Sequence, residues 1–335
     1  MTQSPTFRAL EQGPTYAAQM VTEAISTAPG TDWRRWYRRF AWSVVVFTVG
    51  VIVSGDLVQA TESGAGCGES WPHCDGSLIP SIGDAHTAIE FTHRIATTAL
   101  SFGFLGLLFG AWRVYGRDHP VWRAAVWAGV FLLVEILLGA VLVLFGWVED
   151  DASWGRVIAD VLHVVNTFVL VGTTIFVAWF AAGGQTFRID RSRRTDRLLL
   201  GAGLAVVLIA ITGTVNSLAD TLALSDAVEI DKTPIAAILV SVRGIHPALA
   251  VLGGGAIFFV MIQLSDVASG TALKMLIAVQ LVIAAQFIVG VLNIALLTPL
   301  ETQIIHLVLA DTLWILLLLL TARLLTSRVP EPAVP

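Results

Sequence analysis

Charge is scarce in this chain: Asp, Glu, Lys and Arg make up 13% of its 335 residues, about half the share usual in a soluble domain. With 56% hydrophobic residues and a mean hydropathy of +0.77, the polar surface cannot clothe a soluble globule, which excludes a soluble enzyme. The 20 basic residues are outnumbered by 25 acidic ones, so no basic surplus attracts a polyanion and a nucleic-acid partner is excluded. Two cysteines are too few for a disulfide scaffold, although a single bridge can form.

What the chain does contain is a succession of apolar runs near the ~20 residues a helix needs to cross hydrocarbon. Eight spans are predicted, at 40–60, 91–112, 122–146, 157–182, 198–217, 239–262, 273–296 and 303–322. The expected fold is therefore an all-α integral membrane protein. The first stretch, with Gly13-Pro14 and Pro29-Gly30 and no apolar run, reads as a disordered tail rather than a signal peptide.

Sixteen of the 20 Lys and Arg residues fall on one alternating set of segments, among them Arg34, Arg35, Arg38, Arg39, Arg113, Arg117, Arg123, Arg188, Arg193 and Arg197. Only Arg94, Arg156, Lys232 and Arg243 fall on the other. Positive loops stay in the cytoplasm, so both termini are expected there, with the acidic Glu149-Asp150-Asp151 loop outside.

The halves repeat. Span 3 carries Glu135-Ile-Leu-Leu-Gly139 where span 7 carries Gln286-Phe-Ile-Val-Gly290, and a segment rich in Gly and Arg at 183–197 separates them. Four spans per half preserve orientation, which makes a parallel repeat about the membrane normal, packed as two pseudo-symmetric four-helix bundles. The expected divisions are a tail over 1–38, a first bundle over 39–185, a second over 186–325 and a short tail over 326–335.

Four of the seven histidines, His93, His163, His246 and His306, lie inside the even-numbered spans. At ~1.5 Å per residue all four stand at about one depth, near the outer face. A lone intramembrane histidine is usually a satisfied core residue, but four at matched depth, two per half, point to two sites: His93 with His163, and His246 with His306. Zinc would want three or four protein ligands, and neither half offers an intramembrane cysteine. Haem iron needs only axial ligands, and an apolar macrocycle suits such a bundle, so two bis-histidine haem sites are the leading reading.

The residues three before each histidine share its helix face. They are Glu90 and Asp160 in the first half, Arg243 and Gln303 in the second. A carboxylate at a haem edge can move protons or stabilise a cation, whereas Arg243 suits a propionate. Chemistry is expected in the first half and an electron-transfer cofactor in the second. Arg94 is expected to be a second propionate partner. Mid-span Glu135 is expected to bond a neighbouring helix in its neutral form rather than carry protons. Asn166 and Asp311 receive no role, and the loop residues His73, His86 and His119 read as solvated.

The first outer loop runs Thr61-Glu-Ser-Gly-Ala-Gly-Cys67-Gly-Glu-Ser-Trp71-Pro72-His73-Cys74-Asp-Gly76. Its two cysteines can bridge on the oxidising side, as a structural or as a redox pair. This loop, the motif Glu90-Phe91-Thr92-His93-Arg94, and a histidine in each of spans 4, 6 and 8, the last in Gln303-Ile-Ile-His306-Leu, resemble the heme A synthase family over about residues 38–325. That resemblance implies a membrane oxidoreductase that converts heme O to heme A by oxidising the C8 methyl group to a formyl. It further implies that His93 and His163 hold the substrate haem, that Glu90 is catalytic, and that His246 and His306 ligate a heme b cofactor. Cys67 and Cys74 match a pair that forms an outer-face disulfide in one branch of the family. One departure is His246-Pro247, where the family commonly has Arg after the histidine; Arg243 is expected to take its place.

Two chemistries fit the oxidation: electron withdrawal from the macrocycle with capture of the cationic methyl by water, or an iron-bound oxygen species. The sequence does not choose between them. The expected location is a bacterial cell membrane, with membrane lipid, heme O and an external electron donor or acceptor as partners. Contacts with heme O synthase or with terminal oxidase assembly, and a homo-oligomer, are left open. The nearest alternative is a diheme cytochrome b that relays electrons; a transporter and an assembly factor are more distant ones.

Overall fold

The computed structural model describes residues 29–225 and 228–326. Its helices are α1 (Pro29–Ala60), α2 (Ala85–Tyr115), α3 (Pro120–Leu144), α4 (Trp154–Ala181), α5 (Arg194–Leu224), α6 (Pro234–Ser241), α7 (Ile245–Leu264), α8 (Gly270–Ala295) and α9 (Leu300–Thr326). Among the described residues eight helical segments, α6 and α7 counting as one, are long and apolar enough to cross a membrane. Large apolar side chains such as Phe102, Leu105, Phe109, Leu133 and Leu281 are exposed, as expected of surfaces facing lipid tails.

Local chemistry starts the helices. Asp84 caps α2 by accepting from the Thr87 amide, Ser153 caps α4 through the Arg156 amide, and Pro120 and Pro234 open α3 and α6, where a missing N–H costs nothing. Helix α1 begins at Pro29, so residues 29–38, expected within the tail, are helical; helical hydrogen bonding does not stop where the apolar run stops. The tails 1–28 and 327–335 lie outside the described residues.

Span 6 is interrupted where a single helix was expected. α6 ends at Ser241 and α7 starts at Ile245. Pro247 has no N–H to offer the Arg243 carbonyl four residues back, so the ladder breaks there, and the chain bridges the gap through an Ile245 amide to Val242 carbonyl bond of 2.9 Å.

In the first half each helix packs on the next and α1 returns to α4; in the second, α5 packs on α7, α7 on α8, α8 on α9 and α9 on α5. Tyr37, Leu107, Val121 and Ile175 centre one core; Ile257, Met261, Val279 and Leu320 centre a second; and Leu218, Leu222 and Leu239 form a smaller third between α5 and α6. Helix α4 is the most buried span, because it meets α5 and α9 as well as its own neighbours. Trp314 ties the halves together, donating to the Phe168 carbonyl at 2.9 Å.

Candidate functional site

The loop between α1 and α2 is built onto the end of α2. Cys67 and Cys74 are joined by a disulfide, and the Cys74 and Ser77 backbones pair across the turn that follows. Gly66 lies so close to α2 that a β-carbon would stand 2.5 Å from the His86 backbone, which only glycine permits. The Thr87 hydroxyl donates to the Gly66 carbonyl at 2.7 Å. From the other side Glu149 accepts from the Ala65 amide at 3.1 Å, and buried Arg156 donates to the carbonyls of Glu149 and Asp151.

Beneath this loop sits Glu90, 3% exposed. Its Oε2 accepts from the Cys67 amide at 2.7 Å, and its Oε1 is held by the Arg94 guanidinium. Arg94 also donates to the carbonyls of Ser70 and His73, at 2.8 and 2.6 Å. One arginine thus joins the carboxylate to the disulfide loop, and both carboxylate oxygens are fixed. Asp160, the other expected acid, stands with Oδ2 3.7 Å from Arg156 Nε, and that oxygen has no hydrogen-bond partner.

The four histidines share one local construction. A β-carbon on Gly55 would stand 3.1 Å from Cε1 of His93; on Gly139, 3.8 Å from that of His163; on Gly213, 3.1 Å from that of His246; on Gly290, 3.2 Å from that of His306. Each imidazole therefore lies edge-on against a glycine of the preceding span. His93 is further held by Ser54 Oγ, 2.7 Å from its Nδ1, and His246 by Thr212 Oγ1, 3.3 Å from its Nδ1. The rings of His246 and His306 are 6.4 Å apart, and His163 is close enough to His93 to interact with it electrostatically.

The halves differ around the second histidine of each pair. Glu135 Oε1 stands 3.7 Å from His163 Nε2, and Glu135 accepts from Thr167 and Asn166. At the counterpart of Glu135, Gln286 Oε1 has no partner, while Nδ1 is without one at His163 and His306 alike. Arg243 donates to Asp220 at 3.1 Å, and Gln303 to the Thr298 carbonyl at 2.6 Å.

Sequence reading did not find the hydroxyls of Ser54 and Thr212 or the glycines beside them. The signal was available: Ser54-Gly55 and Thr212-Gly213 are hydroxyl-glycine steps in spans 1 and 5, the first span of each half.

The sequence pattern of the cytochrome oxidase assembly protein family, COX15-CtaA, matches residues 38–88 and 83–318. A protein of Thermus thermophilus named protoheme IX farnesyltransferase is 36% identical over 287 residues, covering 84% of this chain and 47% of that protein. A heme A synthase of Lysinibacillus sphaericus is 33% identical over 178 residues, 52% of this chain and 54% of its own. One of Geobacillus thermodenitrificans is 37% identical over 107 residues, 32% and 34% of the two chains. The chain thus spans about half the length, or less, of these relatives. The agreement of motif, helix count and family match has one conclusion: this chain belongs to the COX15-CtaA family of cytochrome oxidase assembly proteins, the heme A synthase family.

Proposed function

We propose that this chain is a heme A synthase, oxidising the C8 methyl group of heme O to a formyl. The observation that carries the reading is the pair of glycine-backed histidine couples, of which only the first has a fixed, buried carboxylate one turn from its histidine. The relatives' names support it, and so does the Thermus protein: a chain named for farnesylating protohaem contains a stretch similar to this one, and farnesylated protohaem is heme O.

The residues fit haem rather than a bare metal ion. Among the described residues no three His, Cys, Asp or Glu side chains gather, whereas iron already held by a porphyrin asks for two axial nitrogens. The 6.4 Å between the His246 and His306 rings and the glycines that let each ring pack closely on the preceding span suit such a ligand.

On this reading His93 and His163 hold the substrate, and His246 and His306 hold heme b. A bound heme b would supply one-electron redox chemistry. Ser54 and Thr212 orient the first histidine of each pair through Nδ1 and leave Nε2 for iron. Glu90, held at both oxygens, stabilises positive charge developing at the methyl carbon or takes the proton that leaves. Arg94 and Arg243 pair propionates, each guanidinium being a planar fork that already meets a carboxylate, Glu90 in one case and Asp220 in the other. The disulfide loop covers the carboxylate. The one-sided distribution of basic residues supports a location in a bacterial cell membrane with both termini in the cytoplasm and the sites near the outer face.

The test is to produce the chain in a host that makes heme O but no heme A, purify it in detergent, and identify the extracted haems by chromatography with mass detection. The expected result is heme A beside heme b, with heme A lost in His93→Ala. Heme b alone, in two equivalents per chain, would replace this reading with an electron-relaying diheme cytochrome b.

A further inference from the structure

A substrate haem and a resident haem impose opposite demands on their ligands. The first must enter and leave at every turnover, and the second must stay. Yet both couples are built from the same parts, a histidine lying on a glycine of the preceding span. What separates them lies one helical turn before the glycines of α3 and α8. Glu135 precedes Gly139 by four residues and Gln286 precedes Gly290 by four, so each shares its glycine's face.

The surroundings of these two positions differ as well. Three and four residues after His163 stand Asn166 and Thr167, and both donate to Glu135, fixing its carboxylate on that face of α4. Three and four residues after His306 stand Leu309 and Ala310, whose side chains have no donor, and Gln286 Oε1 has no partner. The first half therefore carries an anchored carboxylate beside its histidine, and the second an amide whose oxygen has no anchor. Glu135 faces Nε2 of His163 at 3.7 Å. Nε2 is the less crowded imidazole nitrogen, because Nδ1 adjoins the carbon that carries the side-chain stem, and at His93 and His246 it is Nδ1 that a hydroxyl occupies.

Resting on the assignment of His93 and His163 to the substrate, we propose that Glu135 is a positioning residue that competes with iron for His163 Nε2, making the first haem exchangeable while Gln286 leaves the second resident. With no haem bound, the Glu135 carboxylate stands 3.7 Å from His163 Nε2, where it attracts a ring that carries a proton on that nitrogen; the entering substrate haem would take Nε2 from it, and the carboxylate would recapture the ring as product leaves. The Nε2 proton passes to the Glu135 carboxylate as the iron–nitrogen bond forms and returns as that bond breaks, so one N–H bond is exchanged for one O–H bond in each direction.

The experiment loads the purified chain with ferric haem b as a probe at both couples and follows its loss to excess apomyoglobin by absorbance, with no turnover involved. The wild-type chain should lose one haem fast and one slowly. Glu135→Gln should slow the fast phase about tenfold, the lower end of what partners of ligating histidines contribute to affinity. Gln286→Glu should speed the slow phase and leave the fast phase as it is, so that the first couple serves as the control for folding in that variant. A fast phase that is unchanged or quicker in Glu135→Gln would overturn the proposal, because Glu135 would then be indifferent to the ligand or support it. His163→Ala separates the two failures. If that variant keeps both haems, the ligand assignment is wrong; if it loses one and Glu135→Gln does not slow the exchange, only the competition is wrong.

Discussion

The Cys67 backbone N–H donates to Glu90 Oε2 at 2.7 Å, so a residue of the disulfide also holds the buried carboxylate. The bridge closes a short loop, and opening it frees that loop in the unfolded chain and in the folded one. The Cys67→Ser, Cys74→Ser double variant should lose about 2 kcal/mol of stability and most of its oxidation of heme O, while both haems stay bound. Thermal unfolding and haem chromatography would check both halves of the expectation; an undiminished heme A yield would separate the loop from the chemistry.

Glu90→Gln keeps an acceptor for Cys67 but removes the charge that faces Arg94. If Glu90 moves a proton or stabilises a cation, oxidation should fall about 100-fold or more with the haem content unaltered. The measurement is single-turnover heme A formation against the haem absorbance of the same sample, and a normal yield would remove Glu90 from the mechanism.

Ser54→Ala and Thr212→Ala each delete one hydroxyl at a histidine Nδ1. The contact at His93 is 2.7 Å and that at His246 is 3.3 Å, so the first deletion should be the more damaging, by about tenfold in haem affinity. Titration of the haem-depleted variants should show Ser54→Ala weakening only the first site and Thr212→Ala only the second.

Gly55→Ala and Gly213→Ala place a methyl group 3.1 Å from an imidazole Cε1, tighter than most carbon contacts. The ring must turn, at about 1–3 kcal/mol. Each variant should shift the spectrum of one haem and leave the other unchanged. Gly139→Ala, with 3.8 Å available, should be tolerated.

The Thr87 amide, 3.1 Å from Asp84 Oδ2, holds that carboxyl below its ordinary value. A depressed value means the cap stabilises α2 above the ordinary carboxylate range and ceases to as the pH falls through the folded value. Hydrogen exchange at Thr87 should therefore lose its protection in acid in the native chain, and show none at any pH in Asp84→Ala.

Much of this arrangement is legible in the sequence. The apolar runs located all eight spans, since length and composition alone decide what can cross hydrocarbon. Glu90, His93 and Arg94 were legible as a motif because they are neighbours along one helix, and Cys67 with Cys74 because a short loop must bring them near. Helix ends were less legible: α1 begins at Pro29, and span 6 is broken at 242–244, because hydrogen bonding rather than hydropathy sets where a helix stops. The sequence reads Glu135 as a helix-bonding side chain, and it does bond α4 through Asn166 and Thr167; its approach to His163 depends on how α3 and α4 pack.

What the sequence by itself determined is whatever depends on one segment at a time: the membrane spans, the segments on which basic residues gather, and the four histidines with the residues, acidic in the first half alone, that share their helix faces. What only the tertiary structure decided is whatever depends on two segments meeting: the glycine behind each imidazole, the hydroxyls at His93 and His246, the Cys67 amide on Glu90, and the carboxylate facing His163 in one half where the other offers an amide. The reason is physical. A residue's helix face follows from 3.6 residues per turn, but which face of a neighbouring helix it meets, and at what height, is set by the packing of side chains that lie far apart in the chain.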